Sequence, residues 1–412
     1  MRILMVNLTD WNGMSGGAQH QLGLFEAFVA SGHEVRMLTT GQSDCSAMPY
    51  GVREVATIVE SLRRFKLPAN LDTLAQVPAL IGEIVRFRPD VVYSRLNTFT
   101  VVVAAICRLT GTRIVLEHNS WLENQRLVAG GSPRWARYER WLQIAATRLA
   151  HASRCVTQGL ADRLAQSGVA SERLHAIGNG TDCEHFFPIE RAQALEQFAL
   201  PPERSYIGFI GNIMPWHGLV TALEGFATLA AAYPTTDFLI FGDGPGLLPL
   251  LVLARRLGLA DRVRAPGRVA FADANAAINC FDLAILPLSR THDIGFGFSA
   301  IKLRDYAAAG RVVLTGHVPG NIELAAEPWL MTHAPDHAGD FANALSVWLS
   351  SQSGDQGHWR EAALQARRYA LDNFAWSRLA ARITVLLDKG AGGRPEPARS
   401  TLGRLQTTAL RP

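Results

Sequence analysis

The sequence predicts two doubly wound α/β domains joined in one chain. Three observations carry that expectation: a length of 412 residues, too great for one ordinary core; a strand–helix alternation that runs through the first half; and a second alternation that restarts near Ser205. In the first series, Ile3–Val6 is a short apolar run of the kind buried on both faces of a parallel sheet. A glycine-rich turn follows, then a helical pattern from Ala18 to Ser31, and a strand from Glu34 to Thr39. Val91–Tyr93 and Ile114–Leu116 each emerge from a turn as further strands. In the second series the strands are Tyr206–Ile210, Phe238–Phe241, Leu283–Leu286 and Val312–Leu314.

These patterns divide the chain into a first Rossmann-like domain over 1–189, a polar, proline-marked linker over 190–204 and a second Rossmann-like domain over 205–358. One amphipathic helix over 359–389 is expected to pack back on the first domain. The Gly/Pro/Ser/Thr/Arg-rich 390–412 is expected to be a disordered tail. Two such domains facing each other make a cleft at the carboxyl ends of both sheets, where ligands of open α/β sheets bind.

Composition narrows the class. Hydrophobic residues make up 48% and charged residues 18%, as in globular proteins. The formal charge of +4 is mild and compatible with phosphorylated ligands or an anionic membrane surface. It gives no sign of a nucleic-acid partner. No stretch reaches the roughly 18 unbroken apolar residues of a membrane span, and the amino terminus does not read as a secretory signal. A cytoplasmic protein, touching the inner membrane surface at most peripherally, is therefore expected. Cys45, Cys107, Cys155, Cys183 and Cys280 have neither metal-knuckle nor redox-pair spacing, so reduced thiols and no metal site are expected.

Chemistry is sought in the loops after the strands. Gly16-Gly17 allows close backbone approach at a helix amino end, although a plain tight turn explains it equally well. Glu117, His118 and Asn119 place a carboxylate, an imidazole and an amide at a strand end, where they can orient sugar hydroxyls or serve as ordinary satisfied polar groups. Gly242-Asp243-Gly244-Pro245-Gly246 superficially resembles a dinucleotide fingerprint, but its third glycine comes one position early and no acidic residue ends the next strand. A dehydrogenase is excluded on that ground, while a glycine turn beside a nucleotide stands. Ser299 is placed to cap a helix that Gly310 closes, with Lys302 and Asp305 on one face. The helix end and lysine suit a diphosphate, and the carboxylate suits ribose hydroxyls. On spacing alone, an exposed salt bridge accounts for the pair better.

Taken in order, these pieces resemble retaining glycosyltransferases of family 4, which have the GT-B fold. The matching segments are Gly16-Gly17-Ala18-Gln19, His118-Asn119, Gly178-Asn179-Gly180-Thr181-Asp182, Gly211-Asn212 with Pro215-Trp216-His217-Gly218, Gly242–Pro245, Pro287, and the Ser299–Gly310 helix. The resemblance implies transfer of a sugar from a nucleotide-diphosphate-sugar donor, as co-substrate and without other cofactor, to a glycan, lipid or small-molecule acceptor. It implies catalytic roles for His118, touching the transferred sugar, and Lys302, near the diphosphate. Donor contacts would fall to Gly16, Gly17, Asn212, His217, Gly242, Gly244, Ser299, Ile301 and Asp305, the last at the ribose. Glu117, Asn119, Asp293 and Gly297 are candidate sugar contacts. The chain departs from the family pattern where Gly297 stands for the first acid of a paired-acid motif, with Asp293 nearby. It departs again where Asn212 and His217 stand for basic residues (tryptophan-histidine-glycine being a variant form), and where Ala300 stands for a proline. Two other readings stay open: a nucleotide-sugar epimerase, which shares the two-domain cleft, and, because of Gly297 and Asn212, an inactive binding subunit.

Overall fold

The structure is a computed structural model, and it describes residues 1–7, 16–39, 52–54, 77–290, 300–351 and 357–388. The expected tail at 390–412 lies outside them, as do Cys45, Asp293, Gly297 and Ser299.

The first sheet holds seven strands: β1 (Arg2–Val6), β2 (Glu34–Thr39), β3 (Val52–Glu54), β4 (Val91–Arg95), β5 (Arg113–His118), β6 (Ala152–Cys155) and β7 (Leu174–Ala176). Their order is β3-β2-β1-β4-β5-β6-β7, and all pairings are parallel. The crossovers are α1 (Gly16–Ala30), α2 (Val77–Phe87), α3 (Thr100–Leu109), the hairpin α4 (Leu122–Val128) with α5 (Pro133–Leu149), and α6 (Gln158–Gln166). Helices on both faces leave no side of the strands wet. The interior of β1 is accordingly an unbroken apolar run, with Ile3, Leu4 and Met5 fully buried.

The second domain starts earlier than expected. The 190–204 stretch is no linker: it carries α7 (Arg191–Gln197), whose Ala194 and Leu195 sink into the second core. Arg191 pairs with Asp282 in two bonds of 2.7 and 2.9 Å, and Arg204 pairs with the buried Asp237. The polar composition that suggested a connection belongs to charges fastening this helix to the sheet. Six parallel strands follow, β8 (Ser205–Ile210), β9 (Thr236–Phe241), β10 (Val263–Gly267), β11 (Leu283–Leu286), β12 (Val313–Gly316) and β13 (Leu330–His333), in the order β10-β9-β8-β11-β12-β13. Their helices are α8 (Leu219–Leu229), α9 (Leu247–Arg256), α10 (Ala274–Asn279), α11 (Ile301–Ala308) and α12 (Ala338–Ser351).

The expected single carboxyl-terminal helix is two. Helix α13 (Gly357–Asn373) packs on α11 and buries Ala362, Ala366 and Ala370 in the second core. Helix α14 (Trp376–Asp388) packs on α1 and buries Leu379, Ala380 and Ile383 in the first. The break at Phe374-Ala375 is where the chain recrosses between domains, and the Phe374 carbonyl accepts the N–H of Thr181 at 2.8 Å. Only the second piece returns to the first domain.

In each sheet the strand order reverses beside the central strand, between β1 and β4 and between β8 and β11. Loops diverge there and leave a crevice at the carboxyl edge. Gly208, in the middle of β8, lets the Phe281 ring lie against the strand: a Cβ there would stand 1.7 Å from Phe281 Cδ1. Gly208→Ala is expected to cost about 1–3 kcal/mol of overpacking, seen as a lower urea midpoint for the second domain. An unchanged midpoint would show that Phe281 moves aside freely.

Candidate active site

At the second switch point, two loops are pressed together without side chains between them. The chain leaves β8 at Gly211 (φ 131°) and leaves β9 at Gly242 (φ 138°), a backbone region open to glycine. A Cβ on Gly242 would lie 2.0 Å from the Gly211 oxygen, and one on Gly244 would lie 2.4 Å from the Ile213 oxygen. The loops are tied by Gly211 N–H to the Phe241 carbonyl (2.9 Å) and Ile213 N–H to the Asp243 carbonyl (2.8 Å). Gly242 and Gly244 thus serve close loop-to-loop packing, and Asn212 stands exposed at the lip.

Helix α11 lies over this floor. Its N-cap is Ala300, which has no side-chain cap, so the first-turn N–H groups around Ile301 keep their positive end without a local acceptor from the capping side chain. The Lys302 stem crosses Gly211, where a Cβ would stand 2.3 Å from its Cε, and its ammonium lies 5.6 Å from the Phe209 ring centre. Burial lowers the Lys302 pKa, with Asp305 pulling the other way. Asp305, three residues on, accepts a 2.5 Å hydrogen bond from the Thr181 hydroxyl. Burial raises its pKa to about 7, against the Thr181 bond and the charges of Lys302 and Arg304. Neither residue is exposed, so a solvated surface salt bridge does not describe the pair.

His217 ends a short 3-10 turn over Pro215–His217 and is buried against Phe209, ring centres 5.3 Å apart. Its Nδ1 accepts the Met214 N–H at 3.3 Å, and its carbonyl accepts the Leu288 N–H at 3.1 Å. His217 therefore shapes the β8–α8 turn through its ring and joins it to the loop after β11 through its carbonyl.

The first domain's candidates divide differently. Gly16 and Gly17 open α1 as its first turn rather than preceding it. Glu117 and His118 are fully buried, which corrects the expectation that they face a sugar. Glu117 accepts from Tyr93 Oη (2.6 Å), Asn119 Nδ2 (2.6 Å), Arg154 (2.8 Å) and Gln21 Nε2 (3.2 Å), and His20 lies 3.4 Å away. With its lone pairs filled, the carboxylate has no capacity left for a ligand. Burial alone would raise its pKa, but His20 and Arg154 outweigh that and hold it well below the usual carboxylate range. The His118 ring is enclosed between β5 and α5, Nδ1 3.2 Å from Gln143 Nε2 and Nε2 3.4 Å from Thr147 Oγ1. Burial pulls its pKa down to about 3, so the ring is neutral. Asn119 is only partly buried, and its Nδ2 donates one hydrogen bond to Glu117 at 2.6 Å.

The residues that join the domains carried no role in the motif reading. Arg154 on β6, fully buried beside Glu117 on β5, spends its guanidinium on the Ile177 carbonyl (2.9 Å), the Gly178 carbonyl (2.7 Å) and Asn179 Oδ1 (3.1 Å) as well. Arg304 on α11 takes the Asn179 carbonyl at 2.6 Å from the other side. Gly180 is needed because a Cβ would stand 2.8 Å from both the Phe374 oxygen and the Trp376 ring. The only signal in the sequence was an arginine inside a short strand and the Gly178–Asp182 segment, whose partners lie far along the chain.

Residues 14–185 match the model for Glycosyltransferase Family 4, and residues 204–351 match that for Glycosyl transferases group 1. The two matches fall one on each domain, and the two Rossmann-like domains have the GT-B fold. Among curated relatives the chain is 28% identical over 231 residues to a D-inositol 3-phosphate glycosyltransferase of Mycobacterium marinum (strain ATCC BAA-535 / M), covering 54% of this chain and 47% of that one. It is 24% identical to a GDP-mannose-dependent alpha-(1-6)-phosphatidylinositol monomannoside mannosyltransferase of Mycolicibacterium smegmatis, covering 55% and 59%. The chain thus spans about half the length of the curated relatives it matches. Among solved structures, HepE from Anabaena, in complex with UDP and glucose, superposes with a TM-score of 0.70 at 18% identity, covering 94% of this chain and 99% of that one. WaaG, a glycosyltransferase involved in lipopolysaccharide biosynthesis, gives 0.69 at 16%, covering 94% and 100%. These likenesses are of fold.

Removing Arg154 should leave Glu117 buried and unpaired. Arg154→Met is expected to destabilise the chain by about 3–5 kcal/mol, and adding Glu117→Leu to that variant should restore part of the loss. Chemical unfolding of the single and double variants measures both. Equal loss in both would show that the arginine acts through the 177–179 carbonyls and not through the ion pair.

Proposed function

We propose that the chain transfers a sugar from a nucleotide-diphosphate-sugar donor held by the second domain to an acceptor entering from the first, with retention of anomeric configuration and without a metal. The observation that carries this reading is the Lys302 ammonium and the amino end of α11, whose N-cap is Ala300, set together over the paired Gly211 and Gly242 loops. A lysine beside helix amides supplies positive charge where a departing diphosphate gains negative charge. Asp305, one helical turn deeper, is suited to accept ribose hydroxyls once ionised. The HepE structures with UDP and UDP-glucose support the same class of donor.

In this scheme C–O cleavage at the anomeric carbon sends its electron pair to the diphosphate oxygen, and the acceptor oxygen attacks on the same face. The acceptor's proton leaves with the nucleotide diphosphate, so no protein nucleophile is consumed. His118, enclosed and neutral, holds the β5 edge that shapes the acceptor side. His217 positions the β8–α8 turn beneath the donor.

The test is a screen of nucleotide-diphosphate sugars by calorimetry, then turnover of the tightest binder with candidate acceptors in the presence of EDTA. Binding with acceptor-dependent release of nucleotide diphosphate, undiminished by EDTA, and a product of unchanged anomeric configuration by NMR are expected. Turnover of donor without acceptor to an isomeric nucleotide sugar would overturn transfer in favour of epimerisation.

Lys302→Ala is expected to lower kcat by about a hundredfold, as when one preorganised charge stabiliser is lost, while nucleoside monophosphate affinity hardly changes. Near-normal turnover would remove Lys302 from the diphosphate. Asp305 adds a pH signature. Its folded pKa of about 7 exceeds its ordinary 3.8, so the folded chain binds the extra proton. Stability through this group is greatest at low pH and declines as pH rises between those values. Asp305→Asn should flatten that decline, and in the parent protein donor affinity should rise as pH passes through 7. Flat donor affinity from pH 6 to 8 would place the ribose elsewhere.

A further inference from the structure

We propose that the outer face of the α4–α5 hairpin is a docking surface for an anionic lipid bilayer. Helix α5 divides sharply between its two sides. Ala136, Leu142 and Ala146 are buried, and Gln143 and Thr147 on the same side hold the His118 ring. On the other side Trp135, Tyr138 and Trp141 are 38%, 44% and 61% exposed, and they form a continuous ladder with ring centres 5.1 and 6.0 Å apart. Leu127 and Val128, at the end of α4 by the hairpin turn, are exposed as well. Arg134, Arg137 and Arg140 flank the ladder and are exposed.

The charge arrangement selects the occupant. The two acidic side chains of the hairpin are both drawn inward. Glu139 is buried, bonded to Thr98 at 2.7 Å and to Arg126, and Glu123 is mostly covered beside Arg140 and Arg163. What remains outward is aromatic, aliphatic and cationic, with no carboxylate from either helix. Tryptophan and tyrosine have an apolar body and a polar tip, which suits the headgroup boundary, and arginines beside them meet anionic phosphates. Docking here sets the bilayer about one helix diameter, roughly 10 Å, from the carboxyl end of β5. The inference stands independently of the donor assignment.

Vesicle co-sedimentation of the full chain tests it. Phosphatidylcholine vesicles containing phosphatidylglycerol should carry the protein into the pellet, vesicles of phosphatidylcholine alone should carry little, and added salt should release it. Tryptophan emission should shift to the blue on binding. Trp141→Ser should weaken binding several-fold and abolish most of that shift. Arg134→Gln with Arg137→Gln should weaken it about fivefold for each charge removed. Both variants should melt as the parent does, because the altered side chains are exposed, and turnover on a soluble acceptor should stay unchanged. The proposal falls if the parent stays in the supernatant with both vesicle types, or if the variants sediment as the parent does. It falls equally if Trp141→Ser turns a dimer into a monomer in sedimentation velocity while vesicle binding is absent, which would make this face a contact between copies.

Discussion

The Glu117–Arg154 pair is the constraint on which the rest of the architecture leans. Two opposite charges placed side by side on β5 and β6, both fully removed from water, are tolerable only if every remaining donor and acceptor is answered. The answering groups come from four separate parts of the chain: His20 and Gln21 on α1, Tyr93 on β4, Asn119 after β5, and the 177–179 backbone after β7. Satisfying one arginine thereby fixes α1, three central strands and the segment that leaves the first domain. Such a network specifies position more than it adds net stability.

That segment then becomes the joint between the domains. Arg154 grips it from the first domain, and Arg304 grips the Asn179 carbonyl from the second. Phe374 and Trp376 press on Gly180 where the chain recrosses. Both crossings meet at one place, so any relative movement of the domains bends the chain there and leaves the two sheets as rigid bodies. The two halves of the cleft also differ in kind. The second domain offers a lysine and a helix amino end over two closely paired glycine loops, while the first closes its strand edge with saturated polar groups. The donor reading rests on the former for that reason.

Much of this was legible in the sequence where the physics is local. Buried parallel strands must be short apolar runs, so Ile3–Val6 and Phe238–Phe241 were readable, as was the restart at Ser205. Strands of three to five residues with polar content, such as Ala152–Cys155 with its Arg154, carry no periodic signal. The 190–204 segment misled because charged residues look like a linker when their partners, Asp282 and Asp237, are remote in sequence. The glycines after β9 were expected as a turn beside a nucleotide; what they pack against in the structure is the neighbouring loop. His118 and Glu117 were correctly placed at a strand end; composition could not tell which way a strand-end side chain turns, because the α5 residues that enclose His118 come 25 and 29 positions later.

The meeting of Thr181 with Asp305 ties joint and site together. Thr181 is fixed on the first-domain side of the crossing, its N–H held by the Phe374 carbonyl, while its hydroxyl engages the carboxylate assigned to the ribose. A carboxyl group whose pKa lies near 7 changes charge at little free-energy cost near neutrality, and whatever approaches it shifts that balance. On the proposed reading, a ribose arriving at Asp305 brings hydroxyl donors that favour the ionised form and compete with Thr181 for the same oxygens. Sharing the carboxylate keeps the crossing where it is; displacing Thr181 frees one of the polar ties between the domains. On that reading, donor binding and domain position are linked through a single oxygen-rich contact, and whichever hydroxyl the carboxylate prefers sets the direction of the linkage.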